Sequence, residues 1–301
     1  MSLLAVTGGT GFVGSTLIEL ALEEGHSVRA LTRRPQQPRE GIEWVEGSLE
    51  TPAALDRLAE GADAVIHIAG VVNAPDRDGF ARGNIEGTEA MLAAAEKMGS
   101  GRFVHVSSLA AREPKLSDYG WSKAEAEERV AASPLAWTMV RPPAIYGPGD
   151  MEMFELFRLA KRGLGLLPPG GRLSVIEVSD LGRLLLALAA TDPGRHIYEA
   201  DDGRPGGWEH KAFAHAIGAA VGRKVAAIAL PRPLMLAGAQ LDRLVRGKAA
   251  KLTPDRVAYM CHEDWVIHPR RRPSPELWQP QVPTPEGLAA TAAWYRAKGL
   301  L

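Results

Sequence analysis

Two groups of residues, far apart in the chain, have the types and spacing to do chemistry together. The first is Gly8-Gly9-Thr10-Gly11-Phe12-Val13-Gly14, directly after the apolar run Leu3 to Val6. The second is Ser108 with Tyr119-Gly120-Trp121-Ser122-Lys123, which follows the apolar run Phe103 to Val106. A phenol with a reference pKa of about 10 is a poor acid–base group at neutral pH. A lysine one helical turn onward shares its face, and the positive charge favours the phenolate. Tyr119 and Lys123 have that spacing, in a segment whose Ala124 to Val130 continuation is strongly helix-forming. Ser108 can hydrogen-bond a substrate oxygen beside the phenol. An acid–base group, a fixed cation and a hydroxyl clamp are what a protein must add to a nicotinamide for hydride transfer. Alone, such a tyrosine and lysine would be an aromatic cap and a solvated helix residue; the glycine loop upstream changes that weighing.

Gly8, Gly11 and Gly14 lie between a predicted strand and a predicted helix, the context that a dinucleotide fingerprint requires. Gly8 allows the tight turn, and Gly11 lets backbone N–H groups approach a pyrophosphate at the positive end of the helix. Gly14 permits close helix–strand packing. Thr10, Phe12 and Val13 complete the loop. At the end of the second strand, an enzyme for NAD usually carries a carboxylate for the ribose 2′-hydroxyl. This chain has Thr32-Arg33-Arg34-Pro35 and no carboxylate until Glu40. An arginine fork suits a 2′-phosphate, so NADP(H) is favoured, with NAD(H) the alternative and Arg33, nearer the strand end, the better contact.

The elements that position these residues follow from the apolar pattern. Short apolar runs alternate with helical patterns through the first two-thirds of the chain, the signature of βαβ units and a parallel sheet. Strands are predicted at Leu3–Val6, Val28–Leu31, Ile42–Val45, Ala64–Ile68, Phe103–Val106 and Trp137–Val140. Helices are predicted over Ser15–Glu24, Ala53–Ala59 and Thr88–Lys97, and around Lys123. Beyond Arg141-Pro142-Pro143 the rhythm breaks. A helix over Met151–Arg162, a Gly/Pro-rich loop from Gly163 to Gly171, a strand at Val175–Val178 and an apolar helix from Leu181 to Ala189 are expected. The fold class is therefore α/β, a doubly wound parallel Rossmann sheet with a small C-terminal substrate lobe and a cleft between the two. The expected division is residues 1–150 with 173–203 for the dinucleotide, and 151–172 with 204–301 for the substrate.

Composition narrows the class further. With 35 basic and 36 acidic side chains the net charge is −1, which argues against a nucleic-acid-collecting surface. The single cysteine, Cys261, forms no internal disulfide and suits a reducing, cytoplasmic setting. Leu3–Val6 is too short for a signal h-region, and the apolar stretch Val225–Leu241 is broken by Pro231, Arg232 and Pro233, which speaks against a membrane span. Cys261-His262 lacks the spaced partners of a metal site, so no metal is expected. Arg270-Arg271-Arg272 is more simply a solvated face than an anion clamp. Leu234, Leu241, Leu244 and Val245 recur near helical spacing; they suit packing against the lobe, with a hydrophobic substrate wall or a membrane-surface contact as the sharper alternative.

With these motifs in order, the chain resembles the extended short-chain dehydrogenase/reductase family, which includes nucleotide-sugar epimerases, dihydroflavonol reductases and 3β-hydroxysteroid dehydrogenases. The likeness rests on the glycine loop, on Tyr119 and Lys123, on His67-Ile68-Ala69-Gly70 and on Asn84-Ile85-Glu86-Gly87-Thr88. It extends to Arg141-Pro142-Pro143-Ala144-Ile145-Tyr146-Gly147-Pro148-Gly149, Val178-Ser179-Asp180-Leu181 and the C-terminal Pro285-Glu286-Gly287-Leu288 with Trp294-Tyr295. The resemblance implies that Tyr119 is the general acid/base, that Lys123 also binds the nicotinamide ribose, and that Ser108 holds the substrate oxygen. Asn84 would help indirectly, through helix positioning or a water. Cofactor contacts are implied at Ser48, Leu49, Ile68, Ala69, Gly70, Pro142 and Ile145, and a homodimer on the helix of Tyr119.

Departures from the family pattern bear on the reaction. Ser48 stands where members often place an aspartate on adenine. Leu109-Ala110 replaces the Asp-Glu of dehydratases. The diphosphate-gripping asparagine and arginine of nucleotide-sugar enzymes are missing in register, with Arg172 one place out. The first expectation is thus an NADP(H)-dependent oxidoreductase interconverting a secondary alcohol and a ketone. Alternatives are a sugar epimerase with tightly held cofactor and a cofactor-binding sensor or assembly protein without turnover. If Arg33 contacts the 2′-phosphate, Arg33→Ala weakens NADPH binding by about 1.5–3 kcal/mol and leaves NADH nearly unchanged. Titration of both cofactors against both proteins checks this, and equal losses would remove the assignment.

Overall fold

The structure, a computed structural model, describes residues 1–191, 194–247, 250 and 252–301. The chain opens with β1 (Leu3–Thr7), α1 (Phe12–Glu23), β2 (Ser27–Thr32), β3 (Ile42–Glu46), α2 (Pro52–Ala59) and β4 (Ala64–His67). It continues through α3 (Arg77–Phe80), α4 (Gly87–Met98), β5 (Arg102–Val106), α5 (Asp118–Ala132), β6 (Trp137–Val140), β7 (Ala144–Tyr146), α6 (Phe154–Lys161), β8 (Leu164–Leu167), β9 (Arg172–Leu173) and β10 (Val175–Glu177). Then follow α7 (Val178–Ala190), β11 (His196–Tyr198), β12 (Trp208–Glu209), α8 (His210–Val221), β13 (Ala226–Ala229), α9 (Arg232–Arg246), α10 (Pro254–Met260), β14 (Asp264–Trp265) and α11 (Thr284–Ala297). Two compact units emerge. One comprises Met1–Arg141, Leu181–Glu199 and Pro273–Trp278; the other comprises Pro142–Asp180, Ala200–Arg272 and Gln279–Leu301.

In the first unit, seven strands pair in the order β11-β6-β5-β4-β1-β2-β3, every pair parallel. The central strands read as unbroken apolar runs because both of their faces are covered. Leu55, Leu58, Met91, Ala95, Phe103, Val130 and Met139 lose all contact with solvent in the layer that α2, α4 and α5 form against the sheet. The strand order reverses between β1 and β4, so the loops leaving their C-terminal ends border the crevice where open α/β sheets bind ligands. Gly8–Gly14 and Ile68–Gly70 are those loops.

The second unit is built from small sheets: β7 with β10, β8 with β13, and β9 between β12 and β14. The expected loop from Gly163 to Gly171 contains β8, which pairs in parallel with β13. Its partner lies some sixty residues downstream, so no local turn signal marks the strand. Its alternation, with Gly165 and Leu167 buried and Leu164 and Leu166 exposed, is that of a half-covered strand. The helix expected from Met151 begins instead at Phe154, because the Asp150 carboxylate takes the amides of Glu152 and Met153 in a preceding turn. Tyr295 packs between the rings of Phe154 and Phe157, with centroids 5.2 Å away in each case, and donates its hydroxyl to the carbonyl of Asp150 (2.6 Å).

Asp180 ties this unit's ends together. Its buried carboxylate accepts the backbone amides of Gln281 (2.7 Å) and Val282 (3.0 Å), a hundred residues away in sequence. Asp180→Ala orphans both donors, at about 1–3 kcal/mol each. Denaturant unfolding should show a loss of roughly 2–5 kcal/mol, with Asp180→Asn losing less because one acceptor survives.

Candidate active site

The glycine loop is shaped by two contacts that no side chain could share. Gly8 has a φ of +74°, and its carbonyl accepts the amide of Gly11 at 2.9 Å. A β-carbon on Gly14 would stand 2.1 Å from that carbonyl oxygen, and one on Gly8 would stand 2.9 Å from the amide nitrogen of Ala69. A β-carbon on Gly11 would meet only the Gly8 oxygen, at 3.2 Å. Helix α1 begins there without a side-chain cap, with Thr10 and Gly11 exposed and Phe12 and Val13 half-buried. Its first amides are therefore free for an anionic ligand, as a pyrophosphate cradle requires.

Strand β4 and its loop are held by a chain of hydrogen bonds with one polarity. The Thr88 hydroxyl donates to the carbonyl of Asn84 (2.6 Å), so toward His67 it can only accept, from Nε2–H at 3.1 Å. His67 Nδ1 is then bare and accepts the Thr7 hydroxyl (2.8 Å). The Thr7 oxygen in turn accepts the amides of Ile68 and Ala69, both at 3.1 Å. Complete burial lowers the His67 pKa to about 3, with the Lys123 charge adding to the shift, so the ring is neutral and this tautomer is fixed. His105 stacks on it with centroids 5.5 Å apart, and neither of its ring nitrogens has a partner among the described residues.

Asn84 lies in a π-helical turn, Ala81–Glu86, that runs into α4. Such turns are frequent at functional sites. Its Oδ1 accepts the amide of Val71 (2.8 Å), while Nδ2 donates to the carbonyl of Val71 (3.0 Å) and to the Ser122 hydroxyl (2.8 Å). Ser122 donates to the carbonyl of Tyr119 (2.8 Å). Asn84 thus braces the loop after Gly70 against the turn of α5 that carries Tyr119.

Ser117 caps α5 through the amide of Gly120 (2.9 Å). Gly120 brings α5 onto the short helical turn Leu109–Arg112, where a β-carbon would stand 2.8 Å from the Ala110 oxygen and 3.2 Å from that of Glu113. Ser108 caps that same turn, its Oγ accepting the amide of Ala110 (3.2 Å). The strand end beside it is fixed by Glu127 of α5, which accepts Ser107 Oγ at 2.5 Å and both Nε (2.8 Å) and a terminal nitrogen (2.5 Å) of Arg141. Tyr119 is half-buried, its ring 6.1 Å from that of Phe80. Lys123 is buried and donates Nζ to the carbonyl of Val106 (2.9 Å). A β-carbon on Gly70 would lie 2.7 Å from Asn84 Oδ1 and 4.0 Å from Lys123 Nζ. The structure thus brings Ser108, Asn84, Gly70, Tyr119 and Lys123 together through α5.

Other expected contacts are placed separately. Arg33 is exposed just past β2, and its guanidinium has no partner among the described residues. Ser48 spends its hydroxyl on Thr51 and on the amide of Glu50, in the turn before α2, and Leu49 packs over Gly87. Pro142 and Ile145 belong to the second unit, where Ile145 pairs with Ile176. Arg172 donates to the carbonyls of Gly206 (2.6 Å) and Gly207 (3.3 Å). Arg272 is not simply solvated as its charge run suggests, since it donates to buried Asp201 at 2.6 Å. Among the described residues no cluster of three or more His, Cys, Asp or Glu could hold a metal, and no helix is long and apolar enough to cross a membrane.

Comparison with known proteins places this geometry in a class. The family described as NAD(P)H-binding matches residues 8–160. The chain is 39% identical over 310 residues to the ceramide reductase of Caulobacter vibrioides, covering 99% of this chain and 96% of that protein. It is 31% identical over 327 residues to the 2-alkyl-3-oxoalkanoate reductase of Stenotrophomonas maltophilia, covering 95% and 97%. The solved structure of human epimerase family protein SDR39U1 with NADPH superimposes with a TM-score of 0.75 at 22% identity, covering 97% of this chain and 99% of that one. This chain belongs to the NAD(P)-binding extended short-chain dehydrogenase/reductase family. Within it, the two full-length relatives named above are reductases.

Burial lowers the Lys123 pKa from 10.5 to about 8, partly offset by Glu127. The unfolded chain therefore holds this proton between pH 8 and 10.5 while the folded protein has released it. With more protons on the unfolded state, stability rises with pH across that window. Measured against Lys123→Met in parallel urea titrations, the wild-type protein should gain stability from pH 8 upward. An unchanged difference would mean the ammonium is not desolvated.

Proposed function

We propose that this chain is an NADP(H)-dependent reductase of ketones carried on long aliphatic chains. The observation that carries the reading is the seating of α5 by Gly120 on the turn capped by Ser108, with Tyr119 and Lys123 on the same helix. Two relatives that match over nearly the full length are named for a ceramide and for an alkyl-substituted oxoalkanoate, both long-chain or alkyl compounds. The first unit would hold the dinucleotide and the second would supply substrate contacts. The cradle fits such a group: uncapped amides at α1, a loop with no room for side chains at Gly8 and Gly14, and the exposed Arg33 for a 2′-phosphate.

When bound, the nicotinamide supplies the hydride. The protein does the rest. Ser108 Oγ–H would donate to the ketone oxygen, and Tyr119 Oη–H would give that oxygen its proton as it becomes an alcohol. Lys123 would orient the ribose while its charge stabilises the phenol's ionised form. Asn84 keeps the Val71 loop and the Tyr119 turn at a fixed separation, so the acid stays in line with the clamp. A nucleotide-sugar epimerase has less support, because Arg172 is committed to the Gly206 and Gly207 carbonyls and no register-matched diphosphate clamp replaces it.

The test is NADPH oxidation with a series of ketones of increasing chain length. Stoichiometric consumption, with kcat/KM rising along the series, is expected; turnover without net NADPH consumption would favour an epimerase. Tyr119→Phe should lower kcat by about 10²–10⁴ while NADPH affinity is retained. Undiminished turnover in that variant would remove the mechanism.

A further inference from the structure

Helix α9 presents two apolar faces, and among the described residues one of them is packed while the other is exposed. Met235 and Ala239 are buried against Val257 of α10, with Leu236 and Leu252 alongside. On another face Leu234, Leu241, Leu244 and Val245 are 60%, 62%, 83% and 76% exposed. Offsets of seven, ten and eleven residues gather these four into one stripe at 3.6 residues per turn. Isolated exposed leucines are ordinary, whereas four large aliphatics along one helix face form a patch that marks an interaction surface. Strand β13, which leads directly into α9, also exposes Ile228.

Charge decides between occupants. In the sequence from 232 to 251, Arg232, Arg243, Arg246, Lys248 and Lys251 face a single acid, Asp242, giving +4. The whole chain is −1, so everything else sums to −5. Asp242 is itself engaged, accepting the amide of Leu252 (2.9 Å) and pairing with Arg246 (3.2 Å). Two copies meeting through this helix about a two-fold axis would set one +4 segment against another. An anionic lipid surface offers the complementary charge and accepts the aliphatic stripe at once.

We propose that α9 is an interfacial anchor that lies flat on an anionic bilayer. Leu234, Leu241, Leu244 and Val245 enter the boundary between headgroups and acyl chains, and the net positive charge of the segment draws it toward the anionic surface. Fifteen residues at 1.5 Å rise give about 22 Å, too short to span a hydrocarbon core of about 30 Å, so the helix rests on the membrane and does not cross it. A long-chain ketone would reach the enzyme from that same surface, but the anchor stands without the reductase reading and is measured without substrate.

The full chain is sedimented with vesicles of phosphatidylcholine alone and of phosphatidylcholine mixed with phosphatidylglycerol. Wild-type protein should partition onto the mixed vesicles, weakly onto the neutral ones, and should be released by high salt. Leu241→Glu with Leu244→Glu should cut partitioning by about tenfold or more, since the stripe's buried apolar area is lost. The thermal shift with NADPH should be unchanged in this variant, because both positions are exposed. Arg232→Gln with Arg243→Gln should reduce binding to the mixed vesicles only, and flatten its salt dependence. Failure of the wild-type protein to bind either vesicle overturns the proposal. So does undiminished binding by the glutamate variant, or a lipid-free dimer in the wild type that this variant dissociates, which would make the stripe an interface between copies.

Discussion

Helix α1 can start where it does because no carbon occupies the side-chain position of Gly14, which lies 2.1 Å from the carbonyl oxygen of Gly8. That contact sets the distance between the first strand and the first helix. It also leaves the first amides of α1 facing the crevice at the strand-order reversal instead of a capping side chain. Gly8 in turn approaches the amide of Ala69, so the loop after β4 is pinned against the loop after β1. This face of the crevice in the first unit is therefore assembled by backbone closeness, and glycine is the residue that permits it.

The opposite side of the site is assembled by buried polar groups. Lys123 is a desolvated cation whose charge is favoured by Glu127, one turn further along α5. Glu127 is shared with Arg141 and Ser107, so the same carboxylate that balances the lysine also fixes the end of β5 and the end of β6. Two imidazoles, His67 and His105, border this cation and are kept neutral, each pushed down by burial first and by the lysine charge second. On this side of the site, buried charge is held by partners that are also the scaffold of Ser108 and Tyr119.

The sheet was legible in the sequence because a parallel strand buried on both faces writes itself as an apolar run; β1 to β6 lie within two residues of their expected positions. The glycine loop was expected between a strand and a helix and lies between β1 and α1, and Tyr119 and Lys123 share α5 as their spacing suggested. What escaped had partners remote in sequence. Strand β8 pairs with β13, and Asp180 with the amides of Gln281 and Val282, and neither relation leaves a local signal. Thr7 escaped as well, since a threonine ending a strand looks like ordinary propensity, and Thr88, although part of the Asn84–Thr88 motif, carried no sign of its ring partner. Their meaning is set by His67, which lies in a motif legible in the sequence but whose ring partners sit sixty residues before it and twenty-one after.

The Thr7–His67–Thr88 chain links three segments through bonds that all point one way. A chain with fixed polarity cannot be edited one link at a time. Replacing Thr7 with valine would strip His67 Nδ1 of its donor and two amides of their acceptor in one step, whereas serine would preserve every bond. Drift at these positions should therefore be concerted: among descendants of a common ancestor, hydroxyl, imidazole and hydroxyl persist as a set or give way as a set to apolar side chains that need no partners.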